Sequence, residues 1–481
     1  MEAKHNFSLN LIFLLALNLL VKPFYLFGIE VDVQNTVGAS DYGLYYAMFN
    51  FTFLFNVLLD LGINNYQKIK VSQDAKSGMQ NMATLLPMKL LLSAMYMLIT
   101  VIVAWIIGFE GRYWFFIGWL MVNHVLSVFL LMLRANLSGL HLFIRDSILS
   151  VTDRLILILA IGYLLWFRDG SFSIEQFVLW QTAAYSLTIV LALALTPKGQ
   201  RLISPRFSWS GILSMTKQTW PFALLILLMT AYNKLDGIML ERLADNGTLE
   251  AGIYAQAFRI LDAGNSFAFL YAGLLLPIFA RLLRQNNSLS EINALVDLAS
   301  RMLIVPAGIV FITCFQYSDW IMELLYDEHA SKSALSLTWL MGSFVFIACG
   351  YVFGTLITAG SDLRLLNWIS FITVLLNVVM NFAVIPTMGA EGAAMTSFAS
   401  LAFMALSQII FAIRKHKLTL TAMMVRTLIT WVAAFAVLQS VTLIFDGVAL
   451  QIGFALLVII AIYFRLVLPP KAMFDRDLLK R

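Results

Sequence analysis

The sequence predicts an all-α polytopic membrane protein of about fourteen transmembrane helices, built as two six-helix halves related by a pseudo-two-fold repeat with two C-terminal helices appended. Three observations predict it. Apolar stretches recur from 7–29 to 448–468, each matching the roughly 20 residues a helix needs to cross about 30 Å of hydrocarbon. Of 481 residues, 60% are hydrophobic and 12% charged, and the mean hydropathy is +0.84, which no soluble domain of this length resembles. A short pattern opening the second span returns at the opening of the eighth.

In order, the first six spans are expected at approximately 9–29, 42–63, 82–107, 113–133, 148–167 and 174–196. The first lacks a small-residue cleavage site and contains Lys22 and Pro23, so it reads as a retained span and not a signal peptide. The next six fall at approximately 215–240, 252–280, 297–318, 333–359, 363–385 and 390–413. The seventh is less apolar because it runs into Lys234 and Asp236. Two more, near 422–444 and 448–467, form a tight pair joined by Asp446 and Gly447. The corresponding organisation is 1–200 for the N-terminal half, 201–418 for the second half and 419–481 for the last two helices and a basic tail.

Basic residues alternate from joint to joint. One side collects Lys4, Lys68, Lys70, Lys76, Arg134, Arg145, Lys198, Arg201, Arg206, Arg281, Arg284, Arg364, Arg414, Lys415, Lys417 and the tail. The other has Arg112, Arg168, Arg242 and Lys332 among acids such as Asp41, Glu110, Glu323, Asp327 and Glu328. The positive-inside rule then places both termini in the cytoplasm. The net charge of +5 is dispersed over short joints, which argues against nucleic-acid binding and is explained by the membrane. Cys314 and Cys349 lie inside apolar spans and the five histidines show no ligand spacing, so disulfide, zinc and haem chemistry find no support. No joint has room for a soluble catalytic domain and no nucleotide-binding loop is present, so the chain reads as a non-enzyme that does not use ATP directly. Glu323, Asp327 and Glu328 could imitate a catalytic cluster, but a solvated helix end explains them.

The repeat pairs Asp41-Tyr42-Gly43-Leu44-Tyr45 with Glu250-Ala251-Gly252-Ile253-Tyr254, and Lys22 of the first span with Lys234 of the seventh. Parallel repeats about an axis along the membrane normal are a transporter architecture, with substrate handled near the midplane. Ionisable groups inside spans are expensive and are site candidates by default. Lys89, Arg154, Arg301, Arg426 and Arg465 fall near expected span ends, where snorkelling explains them. Lys22, Lys234 and Arg259 are the candidate substrate-binding cations, suited to an organic polyanion such as a pyrophosphate. Asp60, Asp236 and Asp262 are candidates for ion coupling or structural pairing; Arg259 and Asp262, three apart, share a helix face, and Asp60 could equally cap its span end.

Lys22-Pro23-Phe24-Tyr25, the stretch 33–38, Asp41-Tyr42-Gly43-Leu44-Tyr45, the stretches 49–54 and 59–65, and Gly389-Ala390-Glu391-Gly392-Ala393-Ala394 resemble the Wzx-like polysaccharide flippases of the multidrug/oligosaccharidyl-lipid/polysaccharide (MOP) exporter superfamily. The resemblance implies flipping of undecaprenyl-pyrophosphate-linked oligosaccharide across a bacterial inner membrane by alternating access, for O-antigen, capsule or exopolysaccharide synthesis. It implies a cationic cavity with Lys22 and Arg259 at matching positions and Lys234 as a third cation. It implies no cofactor beyond coupling to H+ or Na+, and partners comprising the lipid bilayer, a polysaccharide polymerase and a chain-length regulator. A lipid II flippase and a multidrug antiporter of the same superfamily are the alternatives, the latter disfavoured by the excess of cations; a membrane-embedded polymerase or ligase would need a larger outer loop.

Overall fold

The computed structural model describes residues 17–18, 20–60, 75–168, 170–197, 209–284 and 289–467, with side chains described except at 75–84, 209–222 and 466. All regular structure among these residues is helical. Helix α1 (20–37) carries a π-helical turn at Tyr25–Glu30, and is followed by α2 (Ala39–Leu54), α3 (Val57–Asp60), α4 (Ala75–Ile107), α5 (Tyr113–Gly139), α6 (Phe143–Trp166), α7 (Ile174–Leu195) and α8 (Trp209–Leu243). Then come α9 (Gly247–Arg284), α10 (Leu289–Leu325), α11 (Ala330–Ala359), α12 (Leu363–His416), α13 (Thr421–Thr442) and α14 (Val448–Ile462), the last running into a π-helical turn at Tyr463–Val467. Among the described residues, eleven helices are long and apolar enough to cross a membrane. The fourteen expected spans map onto this set: α1 and the broken α2–α3 supply the first two, and the 54-residue α12 holds the eleventh and twelfth.

The residues form two compact units, Met1–Gly252 and Ile253–Arg481. In the first, α5 packs on α7 and α2, α6 on α7 and α1, and α8 on α2. Leu130, Leu133 and Leu137 of α5 meet Leu149 of α6 and Ala192 of α7 in one apolar cluster. Lipid is as apolar as these side chains, so helices associate in a membrane through close packing at small residues. Gly237 of α8 illustrates this, because a Cβ there would run into the Asn50 amide and the Tyr46 ring of α2. A tighter crossing joins α2 to the first turn of α9, which lies in the same unit. A Cβ on Gly43 would collide with the Thr248 carbonyl and the Gly252 amide, and one on Gly252 with the Ala39 carbonyl. Gln34 donates to the Gly252 carbonyl (2.9 Å) and Ser40 bonds Thr248 (2.9 Å) beside it. At one end of the unit Arg112 donates to Asp41 (2.7 Å) and Glu175 (2.6 Å), fastening α2, α5 and α7; these bonds, Asp41's foremost, raise the guanidinium pKa further above its ordinary value.

In the second unit α11 packs between α10 and α12, while α13 lies on α10 and carries α14. Val305, Ile309 and Tyr317 of α10 form a core with Leu438 of α13 and Ile459 of α14. The Trp431 indole donates to the Val305 carbonyl at 3.1 Å and covers Gly308. The two expected spans, 363–385 and 390–413, are two helices that meet at a kink within α12, with no loop between them. The break is a single residue, Gly389 (φ 53°, ψ −130°), three residues after Pro386. Proline removes a backbone donor and glycine tolerates the positive φ, so the chain turns without a polar joint.

Candidate functional site

The six candidate residues fall into separate neighbourhoods. In the first unit, Lys234 and Asp236 stand on α8 just ahead of the Gly237 crossing. That close approach brings the Lys234 ammonium over the rings of Phe49 (5.8 Å) and Phe53 (5.6 Å) on α2. The two rings stack at 5.7 Å, and both flank the buried imidazole of His124 from α5, at 5.2 and 5.4 Å. His124 Nε2 lies 3.1 Å from the Thr52 hydroxyl, and the Tyr96 hydroxyl donates to the Thr52 carbonyl at 3.1 Å. Asp236 is 1% exposed. A cation over two aromatic faces is held by their quadrupoles, an attraction worth about 2 kcal/mol or more when water is excluded. Lys234 is thereby fixed in place as a point charge inside the unit.

Lys22 has different neighbours. It is exposed on α1, and the charges of Arg154 and Arg134 act on it, opposed by Asp153. Arg154 is not the snorkelling residue expected. The helix that carries it begins at Phe143 and not near 148, which puts Arg154 at its middle. Its guanidinium lies 4.8 Å over the Tyr25 ring and 3.2 Å from Asp153. The charged residues that hid the helix start are already satisfied: Arg134 donates to Asp146 (2.8 Å) and Arg145 to the Leu195 carbonyl (2.6 Å).

Lys89 corrects a second snorkelling expectation. It is 1% exposed, donates to the Leu59 carbonyl (3.1 Å) and forms an ion pair with Asp60 at the end of α3. Asp60 is accordingly an ion-pair partner across α3 and α4, with its side chain 32% exposed. Arg301 and Arg426 likewise converge on Asp297, and Arg301 also donates to the Val467 carbonyl (3.1 Å), tying α10 to α13 and α14.

In the second unit Arg259 is 4% exposed and donates to the Tyr326 hydroxyl (3.2 Å), which in turn donates to the Gln256 carbonyl (3.4 Å). Asp262, one turn on, is exposed, and its charge acts on Tyr351. Tyr326 also walls an open cavity of about 520 Å³ lined by Glu323, Asp327, His329, Ser331 and Lys332. A buried polar cluster bridges the break in α12: Asn381 donates to Asn377 (3.2 Å) and Thr396 donates to Asn381. Among the described residues no group of three His, Cys, Asp or Glu is placed to hold a metal ion.

The Lys234 ammonium is backed by the Phe49 and Phe53 rings, and the Arg259 guanidinium by the Tyr326 hydroxyl, each within an apolar helix. The sequence profile of the polysaccharide biosynthesis protein family matches residues 9–283, more than half of the chain. The chain belongs to that family.

Family membership agrees with the resemblance read from the first 65 residues, and the fold extends it. The structure of the lipid II flippase MurJ in an inward closed conformation superposes with a TM-score of 0.71 at 11% identity, covering 97% of this chain and 100% of that one. An outward-facing MATE-family multidrug resistance transporter of the MOP superfamily gives 0.60 at 14% identity over 85% of this chain and 94% of that one. A MOP-superfamily transporter from Pyrococcus furiosus, described as having reverse polarity of its binding pocket, gives 0.59 at 14% identity with the same coverage. No curated protein matches the sequence. The family member described here therefore has the all-helical MOP fold.

Proposed function

We propose that this family member is a flippase that carries undecaprenyl-pyrophosphate-linked oligosaccharide across the bacterial inner membrane for surface polysaccharide synthesis. The observation that carries the reading is the set of cations held inside apolar helices, Lys22, Lys234 and Arg259, in a chain of the polysaccharide biosynthesis protein family. A diphosphate crossing a bilayer has to exchange its hydration for fixed donors, and lysine and arginine supply them as a point charge and a planar fork. The oligosaccharide would follow the headgroup while the polyprenyl tail stays in lipid. Alternating exposure of these cations to the two leaflets completes the cycle, with both termini cytoplasmic. Coupling to H+ or Na+ through Asp60, Asp236 or Asp262 would draw on the membrane potential, worth roughly 2.3 kcal/mol per charge per 100 mV. A polymerase and a chain-length regulator would receive the product.

Lipid II is the second reading. It is favoured by one observation, that the superposition on the lipid II flippase covers 97% of this chain, against 85% for the multidrug transporter. Deleting the gene separates the two readings. Loss of surface glycan in viable cells, with lipid-linked intermediates held on the cytoplasmic leaflet, is the expected result. Lethality with arrested peptidoglycan synthesis would favour lipid II. Lys22→Ala and Arg259→Ala should insert normally and fail to restore surface glycan; normal glycan in both variants would sink the flippase assignment.

A further inference from the structure

Arg154 and Asp153 have no role in the reading above, yet they occupy the most costly position on α6. Arg154 stands eleven residues beyond Phe143 and twelve before Trp166. At about 1.5 Å per residue, each end of the helix is some 16–18 Å away, farther than a side chain reaches. A charge so placed is a functional candidate by default. Its surroundings are built for it. Tyr25 from the π-helical turn of α1 presents a ring face 4.8 Å from the guanidinium. The Asp153 contact is unusual in kind, because consecutive helical residues do not face each other. The 3.2 Å bond between them requires the arginine to fold back along its own helix.

Charge balance sharpens the point. Arg134, the other cation acting on Lys22, is already engaged by Asp146 at 2.8 Å. Asn18 donates to Ser150 at 3.1 Å and Tyr25 faces Arg154 at 4.8 Å, so Lys22 stands on the stretch of α1 that runs along α6 at Arg154, with one carboxylate, Asp153, at hand for the two cations. Like charges in a medium of low dielectric repel strongly, and a second anion relieves them. A guanidinium carries five donors in a fixed fork that suits phosphate oxygens. Asp153 meets only one end of it, at Nη1.

We propose that Lys22 and Arg154 form a two-point clamp for a diphosphate, with Tyr25 holding the guanidinium plane and Asp153 serving as an internal stand-in anion that the diphosphate displaces. This rests on the flippase reading and adds a residue, Arg154, and a competitor, Asp153, to it. The stand-in gives the clamp a distinctive signature: removing a negative charge should tighten binding, and only while Arg154 is present.

The test is binding of undecaprenyl diphosphate to the purified full-length protein in nanodiscs, with inorganic pyrophosphate as a competitor. Arg154→Lys keeps the charge and loses the fork, and should weaken binding about tenfold. Asp153→Asn should tighten it several-fold, and the double variant with Arg154→Lys should lose that gain. Competition by inorganic pyrophosphate would support the clamp with the diphosphate alone as determinant; competition by the lipid form only would support it with the polyprenyl chain required. Wild-type binding that neither Arg154→Lys nor Asp153→Asn changes would overturn the clamp and leave the flippase reading standing. Absence of binding by the wild type would overturn both. Arg154→Lys and Asp153→Asn preserve size and, for lysine, charge; unchanged thermal midpoints establish that each variant is folded.

Discussion

Replacing Asp60 by Asn should destabilise this protein more than replacing its partner Lys89 by Met, and the double variant should recover most of the loss. The asymmetry follows from burial. Lys89 is 1% exposed and its ammonium has the Asp60 carboxylate and the Leu59 carbonyl as acceptors, whereas the Asp60 side chain keeps 32% of its surface. Asp60→Asn strands a cation in apolar surroundings, which costs about 3 kcal/mol, the low end for breaking a buried pair. Lys89→Met leaves a carboxylate that can still reach water, at a cost of about 1 kcal/mol. With both charges gone neither penalty applies, so a double-mutant cycle should return a coupling of about 3–4 kcal/mol. The assay is thermal unfolding of the detergent-solubilised variants, followed by tryptophan fluorescence. Equal losses from the two single variants, or strictly additive losses in the double variant, would refute the argument. Transport by the same set separates structure from coupling: if Asp60 carries the coupling ion, the double variant is stable and inactive.

Gly389→Ala should cost about 1–3 kcal/mol, because φ 53°, ψ −130° is closed to residues with a Cβ, and the loss is measurable in the same unfolding assay. Cys314 and Cys349 are buried free thiols, so a thiol-reactive maleimide should leave the native protein unlabelled and react at both sites on unfolding.

The spans were legible because hydrocarbon imposes a length and a polarity on every crossing helix, and eleven helices among the described residues obey it. The failures have local causes. Arg145 and Asp146 are polar enough to look like a joint, but each finds a partner, so α6 starts at Phe143 and Arg154 moves from an apparent end to the middle. Lys89 looked like a snorkelling lysine because its partner, Asp60, stands on another helix, and no pattern in the sequence links the two. His124 shows no ligand spacing in the sequence, and its packing against Phe49, Phe53 and Thr52 of α2 leaves no trace there either. Lys22 and Lys234 were legible as cations in apolar spans; which rings and carboxylates surround them was not.

The crossing of Gly43 with Gly252 bears on how such a chain drifts over time. These two positions correspond in the internal repeat, and each is walled by main chain: Gly43 by Thr248 and Gly252, and Gly252 by Ala39. No rotamer change in a neighbour can make room for a methyl group where the obstacle is a carbonyl. A substitution at either glycine therefore has to move a helix, whichever cargo is carried. The likeness between the openings of the second and eighth expected spans falls where backbone touches backbone, and the steric veto on change there is indifferent to transport.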